Sequence, residues 1–338
     1  MTLGLAAVLL AVLSLLWRAS DAAHAGPLPG LGQKPAVITL GMQTSPASAL
    51  VMVAKDKGFF ERAGVSVELK EFTAGKFALQ AFLGGSLDAV VSGEVPVLLA
   101  FLHGHRLRVV TQVVEATSNE IRIVARRDGT DENAARFFKA KKRTLATSFG
   151  GGPEYFTYRA LKEFGVGAGE VTLISQRPED MPAALASGSV DAVSIFDPFA
   201  LMAEKQLGAE AAVFRDCSSY AETYLLSVSQ QLIDARPEAA SGLIAALFDA
   251  SRFIETSPEE AKTIVSHYTK LDKSTLDSIW SDFVFKPVIT RALLNTWADE
   301  WQWLSDTGRL EQHQNKPDFG ALLQLDVLKR LYPEQVRL

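Results

Sequence analysis

A chain of 338 residues is long enough for one large domain or two medium ones. Hydrophobic residues make up 48% and charged residues 22%, a balance that excludes a disordered chain. The formal net charge is −5, and the aromatic residues are not interleaved with Lys and Arg, so the composition argues against nucleic-acid binding. The single cysteine, Cys217, cannot form an internal disulfide or a thiolate metal site, and we expect neither a metal nor a cofactor.

The chain begins with an apolar run at residues 3–17, which is too short for an ordinary membrane span. The sequence Ala23-His24-Ala25 follows it and has the A-x-A pattern that signal peptidase cleaves. We therefore expect residues 1–25 to be a signal peptide and the mature protein to be secreted and soluble. Because no Lys or Arg precedes the run, a retained anchor remains the alternative.

Strands and helices alternate along most of the remaining chain, and this rhythm predicts βαβ units with parallel sheets. From about residue 227 onward the apolar spacing becomes helical throughout. The predicted strands cover 36–42, 65–69, 87–91, 143–148, 171–174 and 190–195, and the predicted helices cover 47–58, 73–83, 154–164, 178–186, 232–256, 258–268, 274–285 and 290–307.

An internal repeat joins the two halves of this pattern. Residues 85–90 read GSLDAV and residues 188–193 read GSVDAV, and each block follows a predicted helix and enters a predicted strand. In the same register Glu94 corresponds to Asp197. Ligands of open parallel sheets bind outside the carboxyl ends of the strands. Glu94 and Asp197 are therefore candidates for facing a ligand, with bulk water as the alternative.

A glycine-rich turn at 150–152 connects a predicted strand to a predicted helix. Glycines allow close approach of a ligand to the backbone, and a helix N-terminus offers free N–H groups beside the positive end of its dipole. The turn that begins at Thr73 has the same arrangement. Both turns are candidate anion sites, and plain loops are the alternative.

Several segments together resemble the periplasmic binding components of ABC transporters for sulfonates, taurine and nitrate. The related group that binds thiamine-pyrimidine precursors is similar too. The resemblance covers residues 37–330. It rests on AKDKGFFE at 54–61, FTAG at 72–75, the repeated GSxDA blocks, and two later stretches at 144–166 and 171–203.

This resemblance implies a type II periplasmic binding protein, an α/β fold with two lobes and a cleft between two doubly wound sheets. Lobe one would hold residues 36–117 and 221–338, and lobe two would hold 118–220. The hinges would lie near 115–119 and 218–224, and the lobes would close on ligand by hinge motion.

The resemblance also places the ends of the first and third strands in the cleft, and it places Asp197 where some taurine-binding relatives carry an acid for the ligand's amine. With the acids and turns above, the expected ligand contacts are Gln43, Thr44, Ser45, Thr73, Gly75, Ser92, Gly93, Glu94, Ser118, Asn119, Ser148, Gly150, Gly151, Gly152, Tyr155 and Asp197.

The function that these patterns favour is that of a monomeric, extracytoplasmic binding component of an ABC importer, not an enzyme. Its ligand would be a small oxyanion such as taurine or an aliphatic sulfonate, with nitrate or a thiamine-pyrimidine precursor as alternatives. Its partners would be a permease and an ATPase.

A serine hydrolase is the enzyme alternative, because residues 146–150 read ATSFG and nearly match the nucleophile elbow around Ser148. His267 or His313 would have to serve as the base, but the first glycine of the motif is replaced by Ala146.

Overall fold

The computed structural model describes residues 37–117, 119–167, 169–215, 219–310 and 315–338. The expected signal peptide at 1–25, Ser118, Cys217 and His313 lie outside these residues. Among the described residues, no helix is both long and apolar enough to cross a membrane.

The first part of the chain alternates strands and helices as its sequence predicts. Strand β1 is mostly apolar, and its residues Leu40 and Met42 are fully buried because helices cover both faces of the sheet. The elements are β1 (Ile38–Gln43), α1 (Ala49–Asp56), α2 (Phe59–Arg62), β2 (Val67–Phe72), α3 (Gly75–Leu83), β3 (Ala89–Gly93), α4 (Glu94–Leu102) and β4 (Leu107–Ala116).

The middle part repeats this alternation in a second sheet. Its elements are β5 (Ile121–Arg126), α5 (Ala134–Ala140), β6 (Arg143–Thr147), α6 (Gly152–Glu163), β7 (Val171–Ser175), α7 (Met181–Ala186), β8 (Ala192–Phe196), α8 (Phe199–Leu207) and β9 (Ala211–Phe214).

The last part returns to the first sheet with one strand and then becomes mainly helical. Here α10 packs against α1. The elements are β10 (Thr223–Ser229), α9 (Gln230–Ala235), α10 (Pro237–Thr256), α11 (Pro258–Thr269), α12 (Lys273–Ile279), β11 (Phe283–Val284), β12 (Ile289–Thr290), α13 (Arg291–Asp306), α14 (Asp326–Leu331) and β13 (Val336–Arg337).

Both large sheets are mixed, not parallel throughout as the alternation predicted. The first has the order β11-β4-β10-β3-β1-β2, and the second has the order β7-β6-β8-β5-β9. Strands β1, β2 and β3 are parallel, but β10 runs antiparallel to both β3 and β4. In the second sheet β5 runs antiparallel to β8 and β9. The antiparallel strands flank the two segments where the chain crosses between the sheets.

Two of the predicted helices differ from the structure. The helix predicted at 232–256 is divided at Arg236, since Pro237 lacks the N–H needed to continue the preceding helix. The helix predicted at 274–285 ends at Ile279, and Phe283–Val284 instead pairs with β4 at the edge of the first sheet.

The repeated blocks perform the same structural task in both sheets. In the first sheet, Asp88 accepts hydrogen bonds from the backbone N–H of Thr39 at 2.8 Å and from its hydroxyl at 2.9 Å. In the second, Asp191 accepts from the N–H of Thr144 at 2.7 Å and from its hydroxyl at 2.9 Å. Each aspartate therefore joins the amino-terminal ends of two neighbouring parallel strands, far from the carboxyl ends where ligands bind.

We predict that Asp88→Ala lowers the free energy of unfolding by about 1–3 kcal/mol, because it leaves two donors of Thr39 without their acceptor. Asp191→Ala should have a similar effect in the second sheet. Urea unfolding of both variants measures this, with Ser86→Ala as the control because Ser86 is exposed. Equal stability of Asp88→Ala and the control would contradict the assignment.

Candidate functional site

The carboxyl ends of strands from both sheets meet at one small enclosed space, which we call the cleft space. The first sheet contributes Gln43 from β1 and Gly93 from β3, and the second contributes Ser148 after β6 and Phe196 from β8. Its volume is about 20 Å³, which is room for about one water molecule. The complete lining is Gln43, Ala74, Gly75, Lys76, Gly93, Pro96, Ser148, Gly151, Gly152, Pro153, Phe196, Glu222 and Tyr224.

The glycine turn brings the N-terminus of α6 to this space. Gly150 has φ +76°, a conformation that favours glycine, and its N–H donates to the carboxylate of Glu154 at 2.8 Å. A β-carbon on Gly152 would lie 2.5 Å from the carboxyl carbon of Glu222. The helix N-terminus is thus closely covered by an acid of the chain itself, and a side chain at Gly152 would require the Glu222 carboxyl group to move.

The N-terminus of α3 is also satisfied from within the protein. The Gly75 N–H donates to the side-chain oxygen of Gln43 at 2.9 Å, and the amide of Gln43 donates to the Ser45 hydroxyl at 2.6 Å. A β-carbon on Gly75 would approach the Ser92 Cα to 3.0 Å, so glycine is required here by close packing against β3. The turn that begins at Thr73 is therefore held in place by the hydrogen bond from the Gly75 N–H to Gln43.

Lys76 crosses the cleft from the first turn of α3. Its ammonium group donates to the carbonyl oxygen of Phe149 at 2.9 Å, in the turn that precedes α6. No carboxylate of the described residues lies within ion-pair distance of it. Burial lowers the pKa of Lys76, while the charges of Glu154 and Glu179 raise it. Lys76 thus places a positive charge at the cleft, with the Phe149 carbonyl as its hydrogen-bond partner and the centre of the Phe77 ring 5.1 Å away.

Glu222 is buried where the chain crosses back to the first sheet, directly before β10. No Lys, Arg or His of the described residues pairs with it. The Tyr224 hydroxyl lies 3.1 Å from Glu222 Oε2 and 3.2 Å from Glu120 Oε1. Burial raises the pKa of Glu222, and the neighbouring charge of Glu94 raises it further. The Tyr224 hydroxyl can donate its one proton to only one of these two carboxyl groups at a time, and Glu222 also accepts from the backbone N–H of Gly152.

Glu94 forms a second buried group of acids beside the same crossing. Its carboxylate accepts from the Tyr220 hydroxyl and from the Thr223 N–H, the latter at 2.6 Å. It also lies close to Glu300 of α13, whose carboxyl oxygens are buried without a hydrogen-bond partner among the described residues, and burial and the charge of Glu94 raise the pKa of Glu300. Burial raises the pKa of Glu94 to about 7, against the lowering effect of the Tyr220 bond.

Asp197 lies directly after β8, as the repeat predicts, but its carboxylate is buried in an ion pair with a residue of β5. Arg122 binds it in a bidentate manner at 2.7 and 3.0 Å, and both side chains are almost completely buried. Arg122 also pairs with Glu204. Asp197 could reach a ligand's amine only by breaking this pair, so another acid is better placed for that role.

The sixteen predicted ligand contacts divide into three sets. Six of them line the cleft space, namely Gln43, Gly75, Gly93, Ser148, Gly151 and Gly152. Nine others are not part of its lining, namely Thr44, Ser45, Thr73, Ser92, Glu94, Asn119, Gly150, Tyr155 and Asp197. The remaining residue, Ser118, lies outside the described residues.

The Ser148 hydroxyl is buried and has no hydrogen-bond partner among the described residues. A serine nucleophile requires a base within hydrogen-bond reach. His267, one of the two predicted bases, is exposed on α11, and His313 lies outside the described residues. Within the described part of the chain, no base is bonded to Ser148, and its hydroxyl is available to a ligand.

Larger hollows exist elsewhere, between α6 and α13. Their volumes are about 420 and 660 Å³, and they share Tyr158, Lys162, Trp303 and Asp306 in their linings. Neither lies at the carboxyl ends of the strands. We favour the much smaller cleft space as the binding site because glycines, unpaired polar groups and both sheets converge there.

Sequence reasoning missed the two charged residues that define the cleft space, Lys76 and Glu222. Lys76 follows the predicted turn glycine, and Glu222 lies within the predicted second hinge, in the run Ser219-Tyr220-Ala221-Glu222-Thr223. For Glu222, the available sequence signal was an acid beside tyrosines within a predicted hinge. The glycines that contact the Glu222 carboxyl group, Gly93 and Gly152, are far from it in the sequence, so no local pattern indicated this contact.

Comparison with known proteins places this chain among binding proteins. The family model described as the NMT1-like family matches residues 32–268. A Bacillus subtilis (strain 168) protein with the provisional name aliphatic sulfonates-binding protein is 25% identical over 246 residues, 72% of each chain. The taurine-binding periplasmic protein of Escherichia coli K12 is 23% identical over 168 residues, 50% of each chain.

Solved structures share the fold over most of the chain. The alkanesulfonate-binding protein of Xanthomonas axonopodis pv. citri, bound to MOPS, has a TM-score of 0.70 and 17% identity, covering 87% of this chain and 100% of its own. The desulfurization enzyme DszB has a TM-score of 0.63 and 17% identity, covering 87% and 98%. The architecture is therefore that of a periplasmic binding protein, and the fold alone does not separate binding from catalysis.

We predict that Asp197→Ala lowers the free energy of unfolding by about 3–5 kcal/mol, because it leaves the buried guanidinium of Arg122 without its bidentate partner. Glu210→Ala is the control, since it removes an exposed pair with Arg126 that contributes less than about 1 kcal/mol. Urea unfolding of both variants makes the comparison. Similar losses in the two variants would show that the Arg122–Asp197 pair is not structural.

We predict that stability declines as pH rises from about 5 to 8, because the folded state holds a proton on Glu94 that the unfolded chain releases. The pKa rises from 4.5 to about 7, so the contribution is complete below about 4.5 and is lost as pH passes through about 7. Glu94→Gln should make this slope shallower by up to about 1.4 kcal/mol per pH unit.

Urea unfolding at several pH values measures the slope. Glu238→Gln serves as the control, because Glu238 is exposed on α10. Parallel pH profiles of the native protein and Glu94→Gln would contradict the assigned proton.

Proposed function

The chain belongs to the NMT1-like family, and we propose that it is the extracytoplasmic solute-binding component of an ABC importer. One observation carries the proposal. Strand ends of two sheets and the N-termini of two helices converge on one small space that Lys76 and Glu222 also line, where a ligand would contact both lobes at once. Residues 36–117 with 221–338 would form one lobe and residues 118–220 the other.

The proposed ligand is a small oxyanion, with taurine or another aliphatic sulfonate as the first candidate. Two features support it. The N-terminus of α6 and the Lys76 ammonium supply donors and positive potential, and the unpaired Ser148 hydroxyl adds a further donor. The names of the related proteins from Bacillus subtilis and Escherichia coli point to the same chemistry. Nitrate and a thiamine-pyrimidine precursor are the alternatives.

Binding would require the two lobes to separate and close again, since the cleft space holds about one water molecule. Side-chain contacts across the cleft would hold the closed form. Lys76 reaches Phe149, the Thr73 hydroxyl lies 3.4 Å from Glu179, and the Arg177 guanidinium lies 5.2 Å from the centre of the Phe77 ring. Further contacts between the proposed lobes join Arg309 to Glu154, Lys205 to Thr275 and Tyr155 to Trp303.

In the proposed role the mature protein acts outside the cytoplasm after removal of residues 1–25. It delivers its ligand to a permease that an ATPase drives, and exposed faces of both lobes meet the permease. Catalysis is not part of the proposal, because no base is bonded to Ser148 among the described residues.

Isothermal titration calorimetry with taurine, alkanesulfonates, nitrate and an aminopyrimidine tests the ligand. We expect heat with at least one sulfonate. Ser148→Ala should weaken binding several-fold, corresponding to a hydrogen bond of about 0.5–1.5 kcal/mol. Ser86→Ala is the matched control on an exposed turn. The absence of heat with every sulfonate would refute the proposed ligand class.

A further inference from the structure

Glu154 supports the shape of the glycine turn that lines the cleft space. Its side chain is buried in the first turn of α6, and its Oε2 accepts from the Gly150 N–H at 2.8 Å. Gly150 has a positive φ, so this hydrogen bond stabilises a backbone conformation that mainly glycine adopts. Ser148, Gly151 and Gly152 of the same turn line the cleft space. The carboxylate of Glu154 therefore positions the backbone that a ligand would meet.

Arg309 pairs with the other oxygen of this carboxylate, Glu154 Oε1. Arg309 follows α13 in the segment proposed for lobe one, and Glu154 lies in the segment proposed for lobe two. A buried carboxylate needs a compensating cation, and no other cation of the described residues lies within ion-pair distance of Glu154. The pair therefore neutralises a buried charge and joins the two proposed lobes at the same time.

Aromatic rings beside this ion pair also come from both proposed lobes. The Arg309 guanidinium lies 5.0 Å from the centre of the Trp303 ring in α13 and 5.9 Å from that of Phe149. The buried Trp303 ring lies 5.2 Å from the ring of Tyr155, the residue next to Glu154. The Arg309 side chain is thus held between α13 and the glycine turn, with a ring from each beside it.

A second cation of the proposed lobe one contacts the same turn from α3. Lys76 donates to the carbonyl oxygen of Phe149 at 2.9 Å, and it lines the cleft space. Arg309 differs from Lys76 because it is not part of that lining. We therefore expect Arg309 to influence a bound ligand through Glu154 and the turn, without touching the ligand itself.

We propose that Arg309 is a positioning residue that couples closure of the two lobes to the conformation of the glycine turn and thereby slows ligand release. The inference rests on the proposed function and adds to it a residue outside the cleft space. In the closed form Arg309 neutralises Glu154, whose Oε2 stays directed at the Gly150 N–H. When the lobes separate, the carboxylate loses its cation and the turn loses part of its support.

Hydrogen exchange of the ligand-free protein tests this coupling without reference to any ligand. Mass spectrometry of a peptide that covers 148–156 reports on the Gly150 amide and its neighbours. We expect exchange there to be about tenfold faster in Arg309→Ala, and Arg309→Lys, which keeps the charge, to lie between that variant and the native protein. Arg252→Ala is the matched control, since Arg252 forms an exposed pair with Asp249 within α10. Equal exchange in Arg309→Ala and Arg252→Ala overturns the role of Arg309.

Stopped-flow tryptophan fluorescence with taurine and ethanesulfonate tests ligand release. We expect Arg309→Ala to raise koff about tenfold with little change in kon, and Arg309→Lys to recover part of the loss. Glu154→Gln should raise koff as well, and adding Arg309→Ala to it should have little further effect, because both substitutions remove the same ion pair. Additive effects of the two substitutions, or an unchanged koff in Arg309→Ala, contradict a role that acts through Glu154.

The outcomes separate this inference from the proposed function. If neither compound binds to the native protein, the proposed ligand class fails, and hydrogen exchange over 148–156 still decides the role of Arg309. If a compound binds with the same koff in Arg309→Ala, the role of Arg309 fails and the binding function stands. Circular dichroism and urea unfolding check that each variant is folded. If Arg309→Ala does not fold, Arg309→Lys takes its place, and exchange no faster than in the native protein overturns the proposal.

Discussion

Burial of carboxyl groups at the crossing between two sheets is the constraint on which this structure depends. Glu120 lies in the first crossing segment and Glu222 in the second, and the Tyr224 hydroxyl lies between their carboxyl groups. Glu94 and Glu300 form a second such contact nearby. Glu94 and Glu222 accept from tyrosine hydroxyls and backbone N–H groups, whereas Glu120 Oε2 and both carboxyl oxygens of Glu300 are buried without a hydrogen-bond partner among the described residues. The stability of the fold therefore depends on the protonation of these buried groups.

The two halves of the chain contain corresponding acidic residues, some of which have the same structural role and some of which do not. Asp88 and Asp191 tie strand ends in the same way in both sheets. Glu94 and Asp197 occupy corresponding places after a strand, yet their surroundings differ. Asp197 is neutralised by Arg122, which stabilises the second lobe. Glu94 has tyrosine and acid neighbours and remains sensitive to pH. A duplicated architecture thus carries one structural acid and one titratable acid at equivalent positions.

Local sequence patterns were sufficient for the strand–helix alternation, for the glycine turn before α6 and for the placement of Glu94 and Asp197. They were insufficient for β4, β5 and β10, whose antiparallel pairing depends on the crossing segments and not on local periodicity. Local patterns also could not predict the pairing of Asp197 with Arg122. Nor could they predict the fit of Glu222 between Gly93 and Gly152. Each joins residues that are far apart in the chain and meet only after both sheets have formed.

The account assigns ligand binding to the space between Lys76 and Glu222, and a crystal structure of the protein with its bound solute tests that claim most directly. We predict that the solute lies at the N-terminus of α6 and contacts both lobes, and that the Glu222 carboxyl group is displaced from its position against Gly93 and Gly152. A solute bound elsewhere, with Glu222 still packed between those two glycines, would contradict the account.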